Sequence, residues 1–429
     1  MASFDAGLYR QVLGQRSFRL FWLGFVFSVL GDSMTRVALT WIVYEQTGSA
    51  RAIGWLMLCY TGPIVVGGLM AGALLDRFDR RTVMIVDNAI RGVAVATIPL
   101  LHLLGRLEIW HIYVVAVVYG LLMMVSLAGT PALIPALVKP EQRSTANALE
   151  MLGFTLGGII GPPLTGLLIG WVAAPYVILL DALTYVGFAI VLAATRTEAR
   201  VAATRVARRL SSMREVAGLM VRQPVLLSTT LMFMAFNLGS GFIYLTLPVM
   251  SDRVLGGGPG LYGALLGVLA AGQVTSALLS GTLTFTRPLG TMICMAQMAA
   301  GAALLLLLGQ HVAAAFAGLA LYGLMSSPLT VWAQTLRMQI IPEQLRGRAF
   351  ALLRTIMQAG TPIGGAAGGV LLPVLGIPAM IGIGALLVST PGALGYRVRE
   401  LRQAGAQAMT RVEPPTAGET PDAVTVGDS

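Results

Sequence analysis

Long apolar runs alternate with short polar turns along nearly the whole chain. Each run is about 20 residues or longer, enough to cross a hydrocarbon core as a helix. Hydropathy places about twelve spans, at 18–44, 53–75, 82–104, 110–134, 146–170, 173–195, 224–250, 261–283, 289–310, 312–335, 348–373 and 376–396. The predicted fold class is therefore an all-α polytopic membrane protein with twelve transmembrane helices. The longest internal polar stretch, 196–223, divides the spans six and six, giving halves at 18–195 and 224–396. Within it, Val206–Val221 is basic and partly amphipathic, which suits a helix on the inner membrane face or a plain tether. Residues 397–429 read as a polar tail, disordered after about Arg402.

The arginines orient these spans. Arg10, Arg16, Arg19, Arg77, Arg80, Arg81, Lys139, Arg143, Arg287, Arg337 and Arg397 fall on one side, and the linker adds Arg196, Arg200, Arg205, Arg208 and Arg209 to it. Only Arg51, Arg106 and Arg253 fall on the other. Basic loops stay in the cytoplasm, so residues 1–17 and the tail are both expected there, in the inner membrane of a bacterium. The first span is too long for a signal-peptide core and reads as an uncleaved helix.

Composition agrees: 56% of residues are hydrophobic, with 51 glycines, beyond an ordinary soluble domain and suited to close helix packing. A net charge of +10 could suggest nucleic acid, but its confinement to alternate loops points to membrane orientation and not to a groove binder. Cys59 and Cys294 lie in separate apolar runs, where a disulfide is improbable, and His102, His111 and His311 do not assemble a metal site. No cofactor is expected, and no G-x-x-x-x-G-K-[ST] loop points to direct use of ATP.

The halves echo each other. Pro140-Glu141-Gln142 precedes span 5 and Pro342-Glu343-Gln344 precedes span 11, and a glycine-rich helix follows each. Corresponding positions in two six-span halves suggest parallel repeats about an axis along the membrane normal. A degenerate counterpart of the first half's most charged turn lies near Gly281–Pro288.

That turn is Gly72-Ala73-Leu74-Leu75-Asp76-Arg77-Phe78-Asp79-Arg80-Arg81. Its pattern resembles the signature loop between helices 2 and 3 of the major facilitator superfamily at Gly72, Leu74, Asp76, Arg77, Arg80 and Arg81. It departs at Asp79, where the general pattern has glycine, and aspartate there looks like the branch of bacterial drug and siderophore exporters. Gly31-Asp32 with Arg36-Val37-Ala38-Leu39-Thr40-Trp41, Pro131-Ala132-Leu133-Ile134-Pro135 and Asp181-Ala182-Leu183-Thr184-Tyr185 resemble the same branch. The resemblance implies two pseudo-symmetric six-helix halves and export by proton antiport. It also implies that the 72–81 turn is a latch favouring the state closed to the cytoplasm. Asp79, beside three arginines, would strengthen or temper a local charge network.

Several residues could carry mechanism. Asp32 lies near the middle of span 1, where a lone charge costs about 2.5–3.5 kcal/mol and must face protein or a watery cavity. Arg36 sits one turn on and can pair with it. Burial and the guanidinium act on this carboxyl group in opposite senses, so a change in either switches its proton occupancy. Coupling and a static ion pair are both open. Asp87 and Arg91 repeat the spacing in span 3, as a structural pair or part of an inner gate. Asp181 is a further pathway candidate or a structural carboxylate, and Arg354 and Gln358 in span 11 are expected to face inward. Gly157, Gly161, Pro162 and Gly166 in span 5 loosely resemble an antiporter glycine–proline motif, or serve close packing. Asn237, Tyr244 and Gln273 suit a mixed pocket.

The expected protein is a secondary transporter, not an enzyme. It would move a small amphiphilic or hydrophobic molecule, with protons, through the lipid bilayer as a monomer and without nucleic acid. A siderophore, lipid or metal cargo is the alternative within transport. A membrane sensor or embedded enzyme is the alternative outside it.

Overall fold

The computed structural model of the chain describes residues 6–195, 217–280, 287–342 and 345–405. Among these, the regular elements are helical: α1 Ala6–Gly14, α2 Arg16–Thr47, α3 Ala50–Thr61, α4 Ile64–Arg77, α5 Arg80–Leu103, α6 Ile109–Leu137, α7 Arg143–Ile169 and α8 Ala174–Ala194. They continue with α9 Pro224–Arg253, α10 Gly258–Ser280, α11 Leu289–Leu304, α12 Val312–Ile340, α13 Arg346–Gln358, α14 Gly360–Arg397 and α15 Arg399–Gln403. Among the described residues, eleven segments are long and apolar enough to span a membrane. The last, Leu352–Arg397, has 46 residues, roughly 69 Å of helix and enough for two crossings. Gly376, with φ of 76° and ψ of 170°, breaks it. A side chain would be strained there, so glycine makes the reversal. The protein is an integral membrane protein.

Span 2 is interrupted but not divided: Gly62 and Pro63 between α3 and α4 keep helical φ/ψ, and the ladder is broken only where proline supplies no N–H. The polar tail begins with the short helix α15. In α15, Leu401 is fully buried, and Thr291 Oγ1 donates to the Arg402 carbonyl at 2.8 Å. The amphipathic segment before residue 217, the degenerate counterpart at 281–286, Glu343, Gln344 and the tail beyond 405 lie outside the described residues.

Local chemistry sets the turns. Gly48 ends α2 in the left-handed region (φ 58°), its N–H reaching the Tyr44 carbonyl, the usual glycine stop. Ser49 caps α3 and His311 caps α12 through side-chain acceptors. His111 Nδ1 accepts from the Glu108 N–H at 3.1 Å, giving a second histidine a capping role.

Helices α2–α8 pack mainly among themselves, as do α9–α14, and the groups meet chiefly where α3 packs on α14 and α7 on α10, with smaller contacts of α9 to α2 and α3. Glycines allow the two larger contacts. A Cβ on Gly54 would sit 2.8 Å from the Gly365 carbonyl, and one on Gly263 would strike the Pro162 carbonyl. Both contacts lie toward the end of the bundle away from Arg77, Arg80 and Arg81. Large apolar side chains such as Val93 and Leu278 face outward, as lipid contact requires.

Candidate functional site

Three helices of the first group converge on one guanidinium. Arg91 of α5 is buried, and its Nη2 lies 2.9 Å from Asp87 one turn earlier. Its Nη1 reaches across to Asp32 of α2 at 3.5 Å and donates to the Tyr185 hydroxyl of α8 at 3.0 Å. Tyr185 in turn donates to Asp32. Ser126 of α6 donates to Asp87 at 2.9 Å and also accepts from Arg91. The Tyr185 ring lies 4.6 Å from the guanidinium carbon, close enough for cation–π attraction.

Asp181 borders this cluster. It is fully buried, and its carboxylate lies against Gly31, where any Cβ would clash with it. Thr35 donates to it at 2.6 Å and Thr184 at 3.2 Å. Among the described residues no cation lies within salt-bridge reach of Asp181, whereas Arg91 serves both other carboxylates.

The expected Asp32–Arg36 pair does not form. Helical spacing permits it, but Arg91 and Tyr185 already hold Asp32, and Arg36 turns to line a central cavity of about 370 Å³. The cavity lies between α2, α3 and α7 of one group and α9, α10 and α14 of the other. Tyr244 and Gln273 line it, joined by Tyr60 and Tyr262. Asn237 does not: its side-chain amide donates to the Met357 carbonyl at 3.0 Å, fastening α13 to α9. Arg354 and Gln358 are exposed and do not line the cavity.

The 72–81 turn is anchored within the first group. Arg80 donates to the Ala132 carbonyl at 3.0 Å. Arg81 donates to Leu192 at 2.6 Å and to Ala193, at the carbonyl-rich end of α8 where a cation is favoured. Asp79 is the N-cap of α5, accepting from the Thr82 N–H at 2.8 Å and its hydroxyl at 2.9 Å. Arg77 is exposed, Asp76 has interactions of its own, and Gly72 faces open space. In α7, Gly157 abuts Val29 and Gly161 abuts Ser33 of α2, while Gly166 meets Pro259 of α10. Pro162 itself lines the cavity.

A family model of the major facilitator type, described as Transmembrane secretion effector, matches residues 11–421. The chain belongs to this family. The transporter is 26% identical over 353 residues to the MFS-type transporter y4rN of Sinorhizobium fredii, spanning 80% of this chain and 86% of that one. It is 32% identical over 144 residues to the multidrug efflux pump Tap of Mycolicibacterium fortuitum, covering 32% of this chain and 35% of the pump. The solved nucleoside transporter NupG shares its fold with a TM-score of 0.71 at 12% identity, covering 90% of this chain and 99% of that one. The chain is thus a membrane transporter and not an enzyme.

Sequence reasoning missed Tyr185, Ser126 and Thr35. A signal existed for Tyr185, which stands one turn from Asp181 on the same helix face. Ser126 and Tyr60 had none, because their roles depend on helix rotation within uniformly apolar spans.

Proposed function

We propose that this transporter exports a small amphiphilic molecule by alternating access, driven by inward proton flow, with both termini in the cytoplasm. The observation that carries the proton reading is the charge balance around Arg91. Asp32, Asp87 and Asp181 supply three carboxyl groups beside the buried guanidinium of Arg91, while Arg36 turns to the cavity. Bound protons offset that excess of carboxyl groups, since a buried imbalance is too costly to leave standing. Proton occupancy here is thereby tied to the geometry of α2, α5 and α8, the helices that line or support the cavity.

Export is supported by the partial likeness to Tap, and the cytoplasmic placement of both termini by the distribution of basic residues. Tyr44 of α2 donates to Asp252 of α9 at 2.7 Å, and Arg253 donates to the Gly48 carbonyl at 3.2 Å. These ties join the two groups at the end away from the basic turns, so the cavity is read as reached from the cytoplasm.

Proton movement in proteoliposomes tests the reading, wild type beside Asp32→Asn, across macrolides, siderophores and lipophilic cations. A compound that moves protons in the wild type and not in the variant supports antiport. Unchanged coupling in the variant assigns Asp32 a structural role and removes the proposed mechanism.

A further inference from the structure

We infer that the cargo is an amphiphilic anion and that Arg36 is the group that holds its acid head. This rests on the reading of the central cavity as the cargo site.

Arg36 is exposed on α2 and lines the cavity. Among the described residues its guanidinium makes no ion pair and no hydrogen bond; only its backbone carbonyl accepts, from Thr40. Asp32, one turn earlier on α2, has its carboxylate engaged by Arg91 and Tyr185. None of the lining residues is a carboxylate. A guanidinium is permanently charged and only donates hydrogen bonds, so a cavity that presents one with no acid on its lining offers a place for an anion.

The rest of the lining completes the match. Tyr60, Tyr244 and Tyr262 give the lining an aromatic character, suited to a flat apolar body. Leu56, Met57 and Leu266 offer apolar contact, with methionine adaptable in shape. One forked cation and an aromatic and apolar wall fit a carboxylate, phosphate or sulfonate on an apolar or aromatic body. They disfavour a lipophilic cation, which would meet Arg36 with like charge.

The test is equilibrium binding of three matched probes to the protein in nanodiscs: 2-naphthylacetate, 2-naphthylacetamide and 2-(2-naphthyl)ethylammonium. The acid is expected to bind about tenfold tighter than the amide or the amine. Arg36→Gln should bring the acid to about the amide's affinity while amide binding persists, which also reports that the variant is folded. Arg36→Lys should keep part of the preference, since the charge remains but the forked geometry is lost. An acid that binds no better than the other two, or a preference that survives Arg36→Gln, overturns the inference. Gly158→Leu separates this from failure of the cavity reading. A Cβ at Gly158 meets no atom within 4 Å, and the residue lines the cavity, so a leucine there fills it. If Gly158→Leu leaves all three affinities unchanged, the cavity is not the cargo site and the role of Arg36 falls with it. If it weakens all three without any wild-type acid preference, only the charge class is wrong.

Discussion

Arg91 reaches across from α5 to Asp32 of α2 at 3.5 Å, although Arg36 stands one turn from Asp32 on its own helix. The long guanidinium bridges two helices while keeping its i,i+4 bond to Asp87 at 2.9 Å. Two carboxylates therefore depend on one cation, and Asp87 Oδ1 has no hydrogen-bond partner among the described residues.

This dependence makes Arg91→Gln costly. Breaking a buried pair by removing one partner costs about 3–5 kcal/mol, because the other charge stays buried. We expect Arg91→Gln to lower the melting temperature and Asp87→Asn, added to it, to recover a large part of the loss. A thermal-unfolding double-mutant cycle in detergent checks this. A double variant no more stable than Arg91→Gln alone would show that the uncompensated charge is not the cause.

Asp181 behaves differently because its partners are hydroxyls. An asparagine oxygen can still accept from Thr35, so Asp181→Asn should fold with a change of about 1 kcal/mol or less. Thr35→Val deprives the carboxylate of its 2.6 Å donor and should cost about 1–3 kcal/mol. If Asp181 shares the balancing proton, Asp181→Asn will also cut proton-driven transport at least about tenfold while cargo exchange without a gradient persists. Equal losses in driven transport and exchange would place Asp181 outside proton coupling.

The all-helical fold was legible because membrane spans write themselves as long apolar runs, and the turn chemistry of Gly72–Arg81 named the family. The pairing of Asp32 was not. Spacing one turn apart says only that Arg36 can reach Asp32, and it is silent about a competing guanidinium on α5 that becomes a neighbour only after α2 and α5 pack. Asn237 failed for the same reason: polarity marked it, but rotation of α9 aimed it at the Met357 carbonyl. The interruption at Gly62-Pro63 was open to reading, since proline is a known helix interrupter, yet hydropathy ran smoothly across it.

The role of Asp79 separates capping from charge. If its side chain serves as the N-cap of α5, Asp79→Asn should be close to neutral, since the amide oxygen accepts as well. Asp79→Ala should cost about 0.5–2 kcal/mol. A network of charges with Arg77, Arg80 and Arg81 predicts that Asn costs about as much as Ala, since both remove the charge. Melting temperatures of the two variants, taken at low and high salt, distinguish them, because a cap is less sensitive to screening.

At the opposite end, the Tyr44 hydroxyl donates to Asp252 across the two helix groups at 2.7 Å. A hydrogen bond to a charged acceptor contributes about 1.5–3 kcal/mol, and here it counts only in the conformation that brings α2 and α9 together. Under the proposed alternating access, Tyr44→Phe removes that differential and leaves the ring's packing against Trp41, at 5.5 Å between centroids. We expect the population open at this end to rise by about tenfold or more, since 1.4 kcal/mol corresponds to a factor of ten. Spin labels at Gln46 and Ala313, both exposed and on different groups, would report it in a Cys59→Ser, Cys294→Ser background. The long-distance population should grow in Tyr44→Phe and also in Asp252→Asn, where a neutral acceptor holds the tyrosine less tightly. If neither variant moves the distribution, the closure rests on the glycine contacts between α3 and α14 and not on this hydrogen bond.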